Sequence, residues 1–178
     1  RELAGIEHNL GQVALSIGQY SLAVQQFIFS RQQFTELKQE FPDDKSSIHF
    51  YTIKAAFSEY EELRLKSLLL QEDSLLERLD RLLVELEGIR KQGIGEIQDI
   101  AELIVKLRVL KGASLRRLSR YEDAQEACDV ALMGLKLQGS LDQRTGCRAL
   151  VEARLEAALT QMEVGEFEAA RENLETSL

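Results

Sequence analysis

Three segments of this chain carry the same order of side-chain sizes at the same spacings. Tyr20 has Gly11 nine positions before it, Ala23 three after, Phe27 seven after and Ser30 ten after. Tyr121 has Gly112, Ala124, Cys128 and Ala131 at those offsets, and Phe167 has Ala158, Ala170, Leu174 and Ser177. A register kept across intervals of 101 and 46 residues constrains the fold more than any other feature, because it calls for one supersecondary unit built repeatedly.

The residue types fit a helical hairpin. Gly11, Gly112 and Ala158 fall midway along the first helix of each pair, where a minimal side chain lets the second helix approach. Glycine inside a helix costs about 1 kcal/mol against alanine, so two such glycines point to a packing requirement. Tyr20, Tyr121 and Phe167 then open the second helix, where a ring is expected to fill the gap beside the turn. Ala23, Ala124 and Ala170 lie one turn further on, and Phe27, Cys128 and Leu174 continue the same stripe. Gly18 and Gly165 suit the tight ends of the first helices. The third pair has Ser119-Arg120 instead of glycine.

This pattern resembles the tetratricopeptide repeat, a helix–turn–helix unit, in its longer variety. That variety is found in scaffold proteins of cell polarity, kinesin light chains and bacterial signal-sensing regulators. The resemblance implies an all-α, right-handed α-solenoid of about four antiparallel helical hairpins, eight helices in all. They would occupy residues 1–178 as one segment, with hairpins near 2–40, 45–91, 96–137 and 141–178. It also implies a binding module whose ligands lie in a concave groove lined by the first helices.

Read in order, the chain supports eight helices. The first spans about 2–17, with Leu3, Ile6, Leu10, Val13, Ala14 and Ile17 as its apolar stripe. Its partner runs from Ser21, a plausible N-cap, to Glu40, and Phe41-Pro42 closes the hairpin because proline disfavours helix in the preceding residue. A long helix from Lys45 to about Leu70 carries Ile53, Ala56, Phe57, Tyr60, Leu63 and Leu68 on its apolar side. The next, Ser74 to Lys91, carries Leu75, Leu76, Leu79, Leu82, Leu83 and Leu86. This second pair is assigned by spacing alone, since no aromatic opens its second helix; one helix running through Gln71-Glu72-Asp73 is the competing arrangement. Gly88 to Gly95 reads as a loop. Its glycines lack the preceding strand and the Gly-Lys-Ser/Thr of a phosphate loop. Helices at 96–118, 121–137, 141–164 and from 166 onward complete the set.

Composition agrees with this class. Apolar residues make up 44% of the chain, Pro42 is the one proline, and good helix formers dominate. A net charge of −8 disfavours nucleic acid and anionic membrane surfaces. No apolar run approaches the roughly 20 residues needed to span a bilayer. Cys128 and Cys147 lack paired spacing and read as buried thiols of a reducing compartment, so an intracellular setting, cytoplasmic or nuclear, is expected. A start at Arg1 and an end inside a helix, with Leu174 and Leu178 uncovered, suggest a piece of a longer protein in which further repeats, a partner or a dimer contact follow.

Candidate groove residues follow by register. The first helix offers His8, Gln12, Leu15 and Ser16; the fifth offers Lys106, Val109, Ala113, Arg116 and Arg117; the seventh offers Glu152, Leu155, Leu159, Met162 and Glu163. Between Leu103 and Tyr121 there are six basic residues and no acidic ones. Lys106, Arg116, Arg117 and Arg120 fall within roughly one 100° sector of a helix. Guanidinium forks suit carboxylates, so this stripe is a candidate contact for an acidic partner segment; a solvated face, or pairing with Glu122, Asp123 and Glu126, is the plain alternative. His8 and Gln12 stand where a chaperone-tail clamp of this family has Lys and Asn, which argues against that adaptor role. Catalytic, cofactor and metal motifs are missing: His8 and His49 are isolated, and no His-Glu-x-x-His or Cys-x-x-Cys occurs. The expected function is a protein–protein interaction scaffold that binds a partner helix or extended peptide. The rival readings are a ligand- or peptide-sensing solenoid governing an attached effector, and a regulatory or recruiting arm of a larger enzyme.

Overall fold

In a computed structural model, residues 2–69, 74–93, 97–138 and 143–176 are described, and they form eight helices and no strand. The helices are α1 (Glu2–Ser16), α2 (Tyr20–Glu40), α3 (Lys45–Leu68), α4 (Leu75–Lys91), α5 (Ile97–Arg117), α6 (Tyr121–Gln138), α7 (Gln143–Glu163) and α8 (Phe167–Glu175). Two compact units are distinguished: Arg1–Arg78 with Gly88–Gly95, and Leu79–Glu87 with Glu96–Leu178.

In the first unit α1 and α2 run antiparallel, close enough that a Cβ added at Gly11 would lie 2.7 Å from the Phe27 ring. Ser30 Oγ, from the middle of α2, donates to the Ala4 carbonyl at 2.9 Å. Helix α3 runs antiparallel to α2 and alongside α1: Ser58 Oγ lies 3.0 Å from both Ser30 Oγ and His8 Nδ1. Two apolar clusters fill the spaces, Ala14, Ala23, Phe27 and Leu65 in one and Ala4, Phe34 and Tyr51 in the other. Asp44 starts α3 as an N-cap, accepting from the Ser46 N–H at 3.0 Å and from Ser47 Oγ at 2.5 Å.

The second unit repeats this arrangement with α5, α6 and α7. A Cβ at Gly112 would lie 2.8 Å from Cys128 Sγ and 3.3 Å from the Ala124 carbonyl. Val105, Ala131, Leu135, Ala149 and Ala153 form a core among the three helices. The alanines of α7 (Ala149, Ala153, Ala157 and Ala158) are buried, which keeps that helix close to its neighbours. Helix α8 packs back on α7, with Asn173 Nδ2 donating to Gln161 Oε1 at 2.9 Å.

Several expectations need correction. The face of α1 that packs is Ala4, Gly11 and Ala14, whereas Leu3, Ile6, Leu10, Val13 and Ile17 are 48–63% exposed. Close approach selects the small residues, and the large ones are left on the far side. Tyr20 and Phe167 are exposed and Tyr121 half-buried, so these rings do not plug the hairpin; the alanine three residues on is the buried contact in all three. Ser21 is not an N-cap, because α2 already begins at Tyr20 with no side-chain cap. Leu68 is exposed. Gly88 lies inside α4, which continues to Lys91 because Ile89 is buried one turn beyond Leu86. The chain breaks instead at Gly93, whose φ is +67°. The turn at 71–73, the glycine at 95, the connection 139–142 and the last two residues lie outside the described residues.

Candidate interaction surface

The three hairpin turns match atom for atom. At the end of α1 the Gln19 N–H reaches the Ala14 carbonyl at 2.8 Å and the Gly18 N–H reaches Leu15 at 3.1 Å. Arg120 to Leu115 (2.9 Å) with Ser119 to Arg116 (2.9 Å), and Glu166 to Gln161 (2.8 Å) with Gly165 to Met162 (3.2 Å), repeat the pair. This is the Schellman closure, whose C′ residue is left-handed. Gly18, Ser119 and Gly165 have φ of +76°, +58° and +84°. The next helix starts alike each time, with the Ala23, Ala124 and Ala170 N–H groups 3.0 Å from Gln19, Arg120 and Glu166. The register read from sequence therefore corresponds to one backbone motif made three times. Ala158 is buried like Gly11 and Gly112, while Leu174 at the short α8 stays partly exposed.

Against this frame the basic segment of α5 loses its open character. Lys106 pairs with Glu102 at 2.5 Å, Lys111 with Asp80 at 2.6 Å, Arg116 with Glu156 at 2.6 Å and Arg120 with Asp123 at 2.6 Å; Arg108 pairs with Glu87. The Arg117 guanidinium lies 3.4 Å from Ser114 Oγ. Lys106, Arg108, Lys111, Arg116 and Arg120 are thus matched by carboxylates of this chain, four of which lie on helices other than α5. His8 is held by Ser58 and by the edge of Phe27, with ring centroids 5.3 Å apart. Burial pushes its pKa down, Glu61 opposes this and Lys54 adds to it. Gln12 and Leu15 are half-buried and Ser16 is exposed.

The strongest electrostatic construction lies elsewhere. Glu62 of α3, only 1% exposed, accepts from Lys66 Nζ at 2.7 Å, from both terminal nitrogens of Arg78 at 2.8 and 3.0 Å and from Arg31 Nε at 3.2 Å. Arg78 also reaches Glu59 at 2.9 Å. Burial opposes ionisation of Glu62, but the hydrogen bonds from Arg78 and Lys66 and the Arg78 and Arg31 charges outweigh it and hold the carboxyl at about 2. With both Glu62 oxygens accepting twice, this cluster ties three helices together. Sequence reading missed it because its members come from positions 31, 59, 62, 66 and 78 on three helices.

Burial pushes the Cys128 thiol up to about 12, with Glu156 and Asp129 adding to the effect and Arg116 opposing it, which leaves it a neutral packing group. Among the described residues no group of three or more His, Cys, Asp or Glu is placed to hold a metal ion, and no helix is long and apolar enough to cross a membrane.

What the geometry does offer is apolar surface. In addition to the stripe of α1, Leu22 and Phe29 of α2 are exposed in the first unit; in the second unit Val151, Leu155 and Met162 of α7 and Phe167 of α8 are exposed. The signal for the first patch was present in the sequence: once Gly11 is fixed as the crossing residue, Leu10 and Val13 must point away from α2. No family model, curated protein or solved structure matches this chain.

Proposed function

We propose that this chain is a stack of helical hairpins of the tetratricopeptide kind, a right-handed α-solenoid segment, that works by presenting shaped helical surface to a helix or extended peptide of a partner protein. The observation that carries this reading is the triple recurrence of one hairpin, with the same left-handed closure, the same buried alanine and the same close crossing at Gly11 and Gly112. Units that cannot bury their apolar faces alone do so by stacking, and the faces left over become docking surface. Arg108, Lys111 and Arg116 of the α5 stripe already meet carboxylates of the same chain, so an acidic partner would compete with Glu87, Asp80 and Glu156 there. Apolar contact with polar flanks is the recognition chemistry this surface supports.

The test is selection of peptides from a displayed library against the purified chain, read by hydrogen exchange. Selected peptides that protect α1, α5 or α7 in the folded protein support the proposal. Peptides that bind only after unfolding, or that protect no helix, refute it.

A further inference from the structure

The start of the exposed stripe of α1, Leu3 and Ile6, has a covered counterpart within the same chain. Leu3, Ile6, Leu10, Val13 and Ile17 alternate steps of three and four residues, the spacing of a helix-pairing seam. They lie away from the α3 side of the hairpin, which is marked by His8 and Leu15. In the register of the repeat, Ile104 and Leu107 of α5 stand where Leu3 and Ile6 stand in α1, and they are 3% and 0% exposed. Lys111 and Arg108 stand in the places of Leu10 and Glu7. These two cations bind Asp80 and Glu87 of α4, so the partners on the two helices follow in antiparallel order. Helix α4 is leucine-rich on its inner face, with Leu79, Leu82, Leu83 and Leu86 all buried.

The charges on the two faces differ in sign at one point. Where α5 presents Arg108 to Glu87, α1 presents Glu7. A second copy offering its α4 would set Glu87 against Glu7, which like-charge repulsion disfavours. Where α5 has Lys111, α1 has Leu10, so the matching position on an occupant is apolar.

We propose that the α1 stripe is the seat of a partner's amphipathic helix, antiparallel to α1, with leucine-type side chains on its inner face and a basic side chain against Glu7. This rests on the interaction-module reading but assigns one face and one class of occupant.

The probe is a synthetic peptide of the α4 sequence, Leu75–Lys91, carrying Asp80→Leu, made with Glu87 and with Glu87→Arg. Fluorescence anisotropy against the intact chain should show the Glu87→Arg peptide binding about fivefold more tightly than its Glu87 parent. Ile6→Asp, at an exposed site and checked by circular dichroism, should weaken that binding by about tenfold or more. Glu7→Arg in the protein should reverse the order of the two peptides. Equal binding of both peptides, indifference to Ile6→Asp, or no reversal overturns the proposal. So does sedimentation showing a dimer that Ile6→Asp dissociates, because a second copy would then hold the stripe. Library peptides that protect α5 or α7 while Ile6→Asp changes nothing would end this inference and leave the module reading standing.

Discussion

Alanine substitutions at two glycines of α1 should move stability in opposite directions. At Gly11 a Cβ would sit 2.7–2.9 Å from three carbons of the Phe27 ring, which is fully buried and cannot swing aside. Forcing a methyl group into such a contact costs about 1–3 kcal/mol, and the helix-propensity gain returns about 1 kcal/mol. The net expectation is a loss of up to about 2 kcal/mol. At Gly5, four residues into the same helix, an added Cβ meets nothing within 4 Å. Gly5→Ala should therefore keep its propensity gain of about 0.5–1 kcal/mol. Urea unfolding followed by far-UV circular dichroism measures both, provided the slope is unchanged. A cycle with Phe27→Leu locates the cause: Gly11→Ala should cost less in that background, because the opposing ring is gone. Gly112→Ala should also destabilise, since its Cβ would meet Cys128 Sγ at 2.8 Å. If Gly11→Ala stabilises as much as Gly5→Ala, the close crossing is not what fixes the hairpin.

Further outcomes follow from the ion cluster and the turns. Glu62 titrates at about 2 in the fold against an ordinary value near 4.5. Its carboxylate thus contributes stability on the order of 3 kcal/mol above about pH 4.5, and this is lost as pH falls through about 2. Glu62→Gln should cost about that much at neutral pH, and its gap to the wild type should close on acidification; a gap constant down to pH 2 would refute the assignment. Ser119→Gly, at φ of +58°, should raise stability by about 1 kcal/mol in thermal or urea unfolding. The same assay should show a comparable loss for Gly18→Ala and Gly165→Ala.

The elements themselves were legible in the sequence. Helix period, the break at Phe41-Pro42, and the recurrence of Gly11, Ala23 and Phe27 as Gly112, Ala124 and Cys128 are local facts. The backbone answers them locally, through steric crossing distances and one closing turn. Even Ser119 obeys the turn, taking the left-handed conformation that glycine takes at positions 18 and 165. The surface was harder to read, because side-chain character states a need without stating whether it is met. Arg116 finds Glu156 forty residues on, and Arg108 finds Glu87 twenty-one residues back. Neither partner is visible to a reading of α5 alone, and so a segment that looks like an open basic stripe is matched within its own chain.

The amino-acid order by itself determined that this protein is helical, where its helices start and stop to within a few residues, and that three of its hairpins share one design. Only the tertiary structure decided which faces are covered. Leu3 and Ile6 are open in α1, whereas Ile104 and Leu107 at the same register positions of α5 are buried. The physical reason is that burial belongs to a pair of surfaces: Leu3 and Ile104 are similarly hydrophobic, and the presence of a neighbour separates a buried residue from an exposed one.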